Sequence, residues 1–201
     1  MTNPTEEADR EARDAVIRAL LPVVPALGWT RRAIAAALRE VGLPEEEATF
    51  LFPRGAVSAV EAWLDLADRG MAEAAGDLSG LRTPDRVRAL IAARLRQAAP
   101  HKEAVRQAVA LLALPWNAPA GLRATARTAS AIWYAAGDRS ADFSWYTRRA
   151  SLAAIYGATL AYWLRDDSED IGPSLDFLDR RLADLSRMMR CRRRAAVPKA
   201  A

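Results

Sequence analysis

The chain has one cysteine, one histidine and few residues that build catalytic centres, and each shortage closes off a class of chemistry. Cys191 lies in an arginine-rich tail without a second thiol, so no disulfide framework can form and the composition suits a reducing cytosol. With His101 as the only imidazole, this chain cannot assemble a nitrogen and sulfur zinc site, a histidine-dependent triad or the Glu-x-x-His pairs of a di-iron bundle. His101, just after Pro100 at a helix start, reads as an ordinary surface residue. No nucleophile stands beside a base, and no glycine-rich phosphate loop is present. The expectation is a non-enzyme with no metal and no cofactor.

Long apolar runs are also missing. The uncharged stretch from Ala150 to Leu164 is shorter than the ~20 residues a membrane span needs. The opening residues, Met1 to Asp9, are polar and acidic and resemble neither a signal peptide nor an arginine-rich transit peptide. From this the sequence predicts a bacterial-type cytoplasmic protein, peripheral to the inner membrane.

What is present is helix-forming sequence. Of 201 residues, 51% are hydrophobic, enough for one good core. Alanine, leucine, arginine and glutamate dominate, and no run alternates with the period of a strand. Val16, Ile17, Leu20, Leu21 and Val24 share one face of a first helix, kinked or ended by Pro22 and Pro25. Gly28-Trp29 stops it, Thr30 caps a short second helix ending at Val41-Gly42, and Leu43-Pro44 opens a third. Further helices follow from Val57 to about Ala75, from a Thr83-Pro84 start to Pro100, over 101–114, and from Asn117 to about Ala136. The helix from Ser144 to Leu164 is apolar nearly all round, so it is expected to be central and covered on several sides, or to line a cavity. In the last helix Leu175, Leu178, Leu182, Leu185 and Met189 form a narrow seam, suited either to core packing or to a homodimer.

The fold class read from this is all-α. The helix, Gly-Trp-Thr, short helix, glycine turn and short helix have the layout of a TetR-like bundle with an N-terminal helix-turn-helix-like three-helix segment. Its expected parts are a flexible N-terminus over 1–8, the helix-turn-helix-like segment over 9–56, a helical core over 57–190, and a basic flexible tail over 191–201. A dimeric, DNA-binding transcriptional regulator is the competing function. Electrostatics oppose it, because Glu45, Glu46 and Glu47 place three carboxylates where a reading helix meets phosphates, and Arg31, Arg32 and Arg39 compensate little.

Charge is unevenly spread. Six basic residues and no acid lie in 187–201, which leaves the remainder slightly acidic. Arg192, Arg193 and Arg194 are therefore candidates for contact with an anionic membrane surface, with a solvated charge run as the plainer alternative.

The run from Trp133 to Arg149 gathers two of six tryptophans, two of four tyrosines and three arginines. Its Gly137-Asp138 and Ser140-Ala141-Asp142 are turn and helix-start chemistry, which puts Trp145 and Tyr146 on the first turn of a helix. Such rings either plug the core beneath the turn or form a partly exposed docking patch. Residue type alone leaves both open.

The string from Ala136 to Tyr156 closely resembles the signature of the Coq-nine family, the lipid-binding accessory proteins of ubiquinone biosynthesis. Leu112-Ala-Leu-Pro-Trp-Asn-Ala-Pro119 resembles that family's Leu-Pro-x-Asn-x-Pro segment, and Pro25-Ala-Leu-Gly-Trp-Thr30 its Pro-x-x-Gly-Trp-Thr segment. The resemblance spans roughly residues 12 to 190. It implies a protein that binds isoprenoid quinone precursors and presents them to the demethoxyubiquinone hydroxylase. On that reading Asp142, Trp145, Tyr146, Arg148 and Arg149 are the docking residues, extended by Trp133 and Ile132. Small residues along the apolar helix, Ala154, Gly157, Ala158 and Ala161, together with Tyr156, are the lipid-binding candidates, because they leave room that larger side chains would fill. Close helix packing over the same residues is the alternative. The family's eukaryotic members end in an additional amphipathic helix, for which this chain shows no apolar face after Cys191.

Overall fold

The computed structural model describes residues 4–137 and 144–195, without the side chains of residues 4, 144, 145 and 188–195. Among them are ten α-helices and no strand: α1 (Pro4–Leu20), α2 (Val24–Leu27), α3 (Arg31–Glu40), α4 (Glu47–Leu51), α5 (Ala56–Ala75), α6 (Thr83–Ala98), α7 (Lys102–Ala113), α8 (Ala118–Ala135), α9 (Ser144–Arg165) and α10 (Gly172–Ala195). A single 3-10 turn over Ala99–His101 carries Pro100 between α6 and α7.

Local chemistry sets most of these boundaries. The Thr30 hydroxyl accepts from the Ala33 amide at 3.2 Å and donates to the Leu27 carbonyl at 3.0 Å, closing α2 and opening α3 with one side chain. Gly28 supplies the positive φ of 69° that this reversal requires. Helix α6 begins one residue earlier than its Thr-Pro signal suggests: Thr83 is already helical and Arg82 stands at the cap, its Nε 3.3 Å from Asp85. The ends of the chain are also more helical than expected. Helix α1 starts at Pro4, and α10 carries Arg192, Arg193 and Arg194 to Ala195.

Helix α5 is the hub, packing on α1, α6 and α8, while α9 lies between α8 and α10. Trp29 pins the N-terminal helices to the body. Its ring stacks on Trp63 with centroids 5.5 Å apart, and its Nε1 donates to the Ala104 carbonyl at 3.0 Å. Asp14 on α1 receives Arg69 of α5 at 2.7 Å. Leu175 and Leu178 of α10 are buried in the common core, with Leu182 partly buried against it, so this part of the seam is used inside the chain.

Helix α9 differs from expectation in one respect. Leu152, Tyr156, Thr159 and Trp163 are buried, yet Ala150, Ala154, Gly157, Ala158 and Ala161 form an exposed stripe. A helix that is apolar all round through alanine and glycine has no strong facial preference, and neighbours cover only the side that carries the large rings. No helix among the described residues is long and apolar enough to cross a membrane.

Candidate lipid cavity and docking surface

Helices α5 to α9 enclose an open cavity of about 340 Å³. Its walls are mainly aliphatic: Val60 and Leu64 from α5, Leu95 from α6, Val105 and Leu112 from α7, Leu160 and Leu164 from α9. Small residues create the space, with Ala67, Ala98, Ala108, Ala124 and Ala161 all facing it. Val109 is 41% exposed at the cavity wall. At Gly121 the α7–α8 approach is tight, since a Cβ there would stand 3.3 Å from the Leu112 carbonyl oxygen.

One end of this apolar space is polar. Arg94 is only 5% exposed, lines the cavity, and points Nη2 at Asp68 from 3.2 Å. Asp68 also accepts from the Thr128 hydroxyl at 3.1 Å and lies 3.6 Å from Arg127 Nε. Burial pushes the Asp68 carboxyl above its ordinary range, although Arg94, Thr128 and Arg127 pull the other way. For Arg94 desolvation opposes the charge, but Tyr156 and Asp68 outweigh it and its pKa is raised. The Arg94 Nε is buried and has no hydrogen-bond partner among the described residues.

Of the candidates for lipid contact, Tyr156, Gly157 and Ala161 line this cavity, whereas Ala154 and Ala158 lie on the exposed stripe outside it. The helical period turns 158 off the face shared by 157, 161 and 164, whereas 154 points much as 161 does but lies about two turns nearer the start of α9, short of the cavity. Sequence reasoning missed Arg94 and Asp68. Their signal was present, because Arg94 falls between Ile91 and Leu95, and Asp68 one turn after Leu64, on otherwise buried faces.

The docking candidates divide similarly. Tyr146 is 70% exposed on the first turn of α9. Trp133 is half-buried and its Nε1 donates to the Arg148 carbonyl at 3.2 Å, tying the end of α8 to the start of α9. Arg148 and Arg149 are both partly buried. Ile132 cannot extend this surface, since it is fully buried in the core. Tyr134, two positions on and thus on the opposite side of α8, is 78% exposed and takes the place assigned to Ile132. Asp142 lies outside the described residues, as does the Trp145 side chain.

The helix-turn-helix-like segment is incomplete where DNA would be read. Helix α4 has five residues and follows Glu45 and Glu46, with Arg39 on α3 turned to Glu45 at 3.4 Å rather than left for a phosphate.

Helix order and packing define an all-α protein of the TetR type, here with an internal apolar cavity. The solved TetR transcriptional regulator from Nitrosomonas europaea ATCC 19718 is similar, with a TM-score of 0.65 and 25% identity over 85% of this chain and 95% of that one. Within that class the chain is similar to the COQ9 family, whose model matches residues 118–189. The human ubiquinone biosynthesis protein COQ9, mitochondrial, is 32% identical over 90% of this chain and 60% of its own length, and the Drosophila melanogaster protein of the same name is 34% identical over 90% and 58%. The chain thus spans about 60% of the length of these curated relatives. The expected bacterial-type cytoplasmic location is overturned by the same finding, because the relatives are mitochondrial proteins. A polar opening segment carries no information on compartment in a chain that spans only part of its relatives.

Proposed function

We propose that this protein is a non-enzymatic lipid-binding accessory protein of ubiquinone biosynthesis, which holds an isoprenoid quinone precursor and presents it to the demethoxyubiquinone hydroxylase. The observation that carries the reading is the cavity: largely aliphatic walls with the buried Arg94–Asp68 pair at one end. An apolar chain fits the walls, and a carbonyl or phenol oxygen suits the polar end, where the Arg94 charge is already balanced by Asp68. Tyr134, Tyr146, Trp133 and the backbone of Arg148 make an aromatic surface beside the helix that carries Tyr156 and Gly157, which supports the hydroxylase as the partner docked there.

Native mass spectrometry with extraction of co-purified lipid tests this. An isoprenoid quinone or precursor is expected in the wild-type protein, and its occupancy is expected to fall in Gly157→Leu, where an added Cβ meets nothing within 4 Å and the fold is spared. For docking, Trp145→Ala with Tyr146→Ala is expected to abolish hydroxylase co-purification and leave thermal stability nearly unchanged; a large loss of stability would make Trp145 a core residue and count against the docking role. A second reading, a dimeric DNA-binding regulator, draws on the structural neighbour's name and on exposed Arg31 and Arg32. Lipid-free protein that shifts a DNA duplex at sub-micromolar concentration would establish it in place of the first.

A further inference from the structure

The hairpin tip joining α7 to α8 is uncharged and carries several exposed apolar residues. From Gln107 to Leu122, sixteen residues pass without a charge. Four of the eight large apolar residues exposed among the described residues fall in this stretch: Val109, Leu114, Trp116 and Leu122, the last two 74% exposed. The tip is a built structure. Asn117 Nδ2 donates to the Leu111 carbonyl at 3.0 Å, and the Leu114 carbonyl accepts from the amides of Asn117 and Ala118 at 2.8 and 2.9 Å, so the turn consumes its own polar groups. What remains to face outward is apolar.

We infer that this tip docks on a lipid bilayer bearing anionic headgroups and delivers the cavity mouth to the membrane. Three features favour a bilayer over a protein partner. The surface is the turn between two helices, with Leu114 and Trp116 exposed on the turn itself. Tryptophan with leucine on one side and arginine at the margin is the composition that settles at the headgroup boundary. Arg106 and Arg123 bracket the uncharged stretch, both exposed, and Arg123 makes no ion pair with any described residue, so its charge is available to a phosphate.

The cavity runs into the same tip. Val109, Leu112 and Ala113 of α7 and Gly121 of α8 are at once hairpin and cavity wall. An apolar ligand leaving a bilayer through this opening would avoid carrying its methylenes through water. The docking stands on the exposed tip alone, whereas its purpose rests on the lipid-carrier reading above. It is also distinct from adsorption through Arg192, Arg193 and Arg194 at the far end of α10.

Flotation of the full chain with vesicles of phosphatidylcholine, alone or mixed with phosphatidylglycerol, tests the inference. Wild-type protein is expected to float, more so with the anionic lipid. Trp116→Ser with Leu122→Ser is expected to cut the bound fraction at least ten-fold while circular dichroism and melting stay unchanged, since both side chains are exposed. Arg123→Glu is expected to weaken binding several-fold on anionic vesicles and to leave the neutral ones unaffected. Replacement of Arg192, Arg193 and Arg194 by serine is expected to leave the larger part of the binding in place. Equal flotation of wild type and the Trp116/Leu122 variant overturns the inference. So does a variant that changes only the oligomeric state in sedimentation, which would make the tip a contact between copies. Lipid-free protein that still floats through Trp116 and Leu122 supports the docking and removes the carrier reading, so the two fail separately.

Discussion

The helices before residue 56 and those after it share a helical alphabet but pack in opposite ways. In the first region Val16, Ile17, Leu20, Ile34, Leu38 and Phe52 close on one another with essentially no exposure. In the second, Ala67, Ala98, Ala108, Ala124 and Ala161 face each other across a space that their side chains are too small to fill, and Arg94 with Asp68 sits at its end. Branched side chains interdigitate to crystal-like density, whereas methyl groups on helices held apart by Trp63, Leu95 and Tyr156 leave a void. Side-chain size on the buried face thus separates a clamp from a container.

The largest effect expected from breaking this contrast is at the polar end of the container. Arg94→Leu leaves the Asp68 carboxylate buried with only Thr128 and the half-exposed Arg127, and is expected to cost about 3–5 kcal/mol in denaturant unfolding. Arg94→Leu combined with Asp68→Leu is expected to restore much of that loss. If the double variant is no better than the single, the pair is not the reason for the cost.

Leu38→Ala comes next. This residue is wholly enclosed between α3 and its neighbours, so about 2–5 kcal/mol is expected. The same change at Leu160, a partly buried cavity wall, is expected to cost ~1 kcal/mol or less, because the void is already there. Equal losses at the two positions would erase the distinction between the regions. Thr30→Ala should remove about 1 kcal/mol by opening the cap of α3, readable as a lower melting temperature with lipid content unaltered.

The smallest effects sharpen the picture of the cavity. Gly157→Ala is expected to raise stability by about 0.5–1 kcal/mol, since the site is mid-helix and open. For Asp68, burial raises the folded-state pKa above the ordinary carboxyl value. The native state therefore holds this proton more tightly than the unfolded chain does. Its contribution to stability is fully present below the unfolded pKa and is lost as pH rises through the folded one. A carboxyl carbon titration by NMR is expected to place the Asp68 midpoint above 3.8; a midpoint below it would mean that Arg94, Thr128 and Arg127 dominate over desolvation.

Much of the fold was legible because helix boundaries are local. Thr30, Gly28, Gly42, Pro100 and Pro119 act through bonds and dihedrals within a turn of themselves, and the buried faces of α1 and α6 follow from residues three and four apart. The candidate site was only half legible. Tyr156, Gly157 and Ala161 line the cavity, but Ile132 points into the core while Tyr134 points out. An aliphatic residue on a helix is equally content against a core or a cavity, so the one-dimensional pattern cannot separate the two.

By itself the amino-acid order determined an all-α chain, its cap and turn positions, its lack of a histidine or cysteine constellation, and its family resemblance, since all of these depend on neighbouring residues or on the string itself. Tertiary structure decided where the helices stand apart. The void among α5 to α9, the pairing of Arg94 with Asp68 across two helices, and the merging of the cavity with the uncharged α7–α8 tip arise from distances between segments, which no local periodicity encodes.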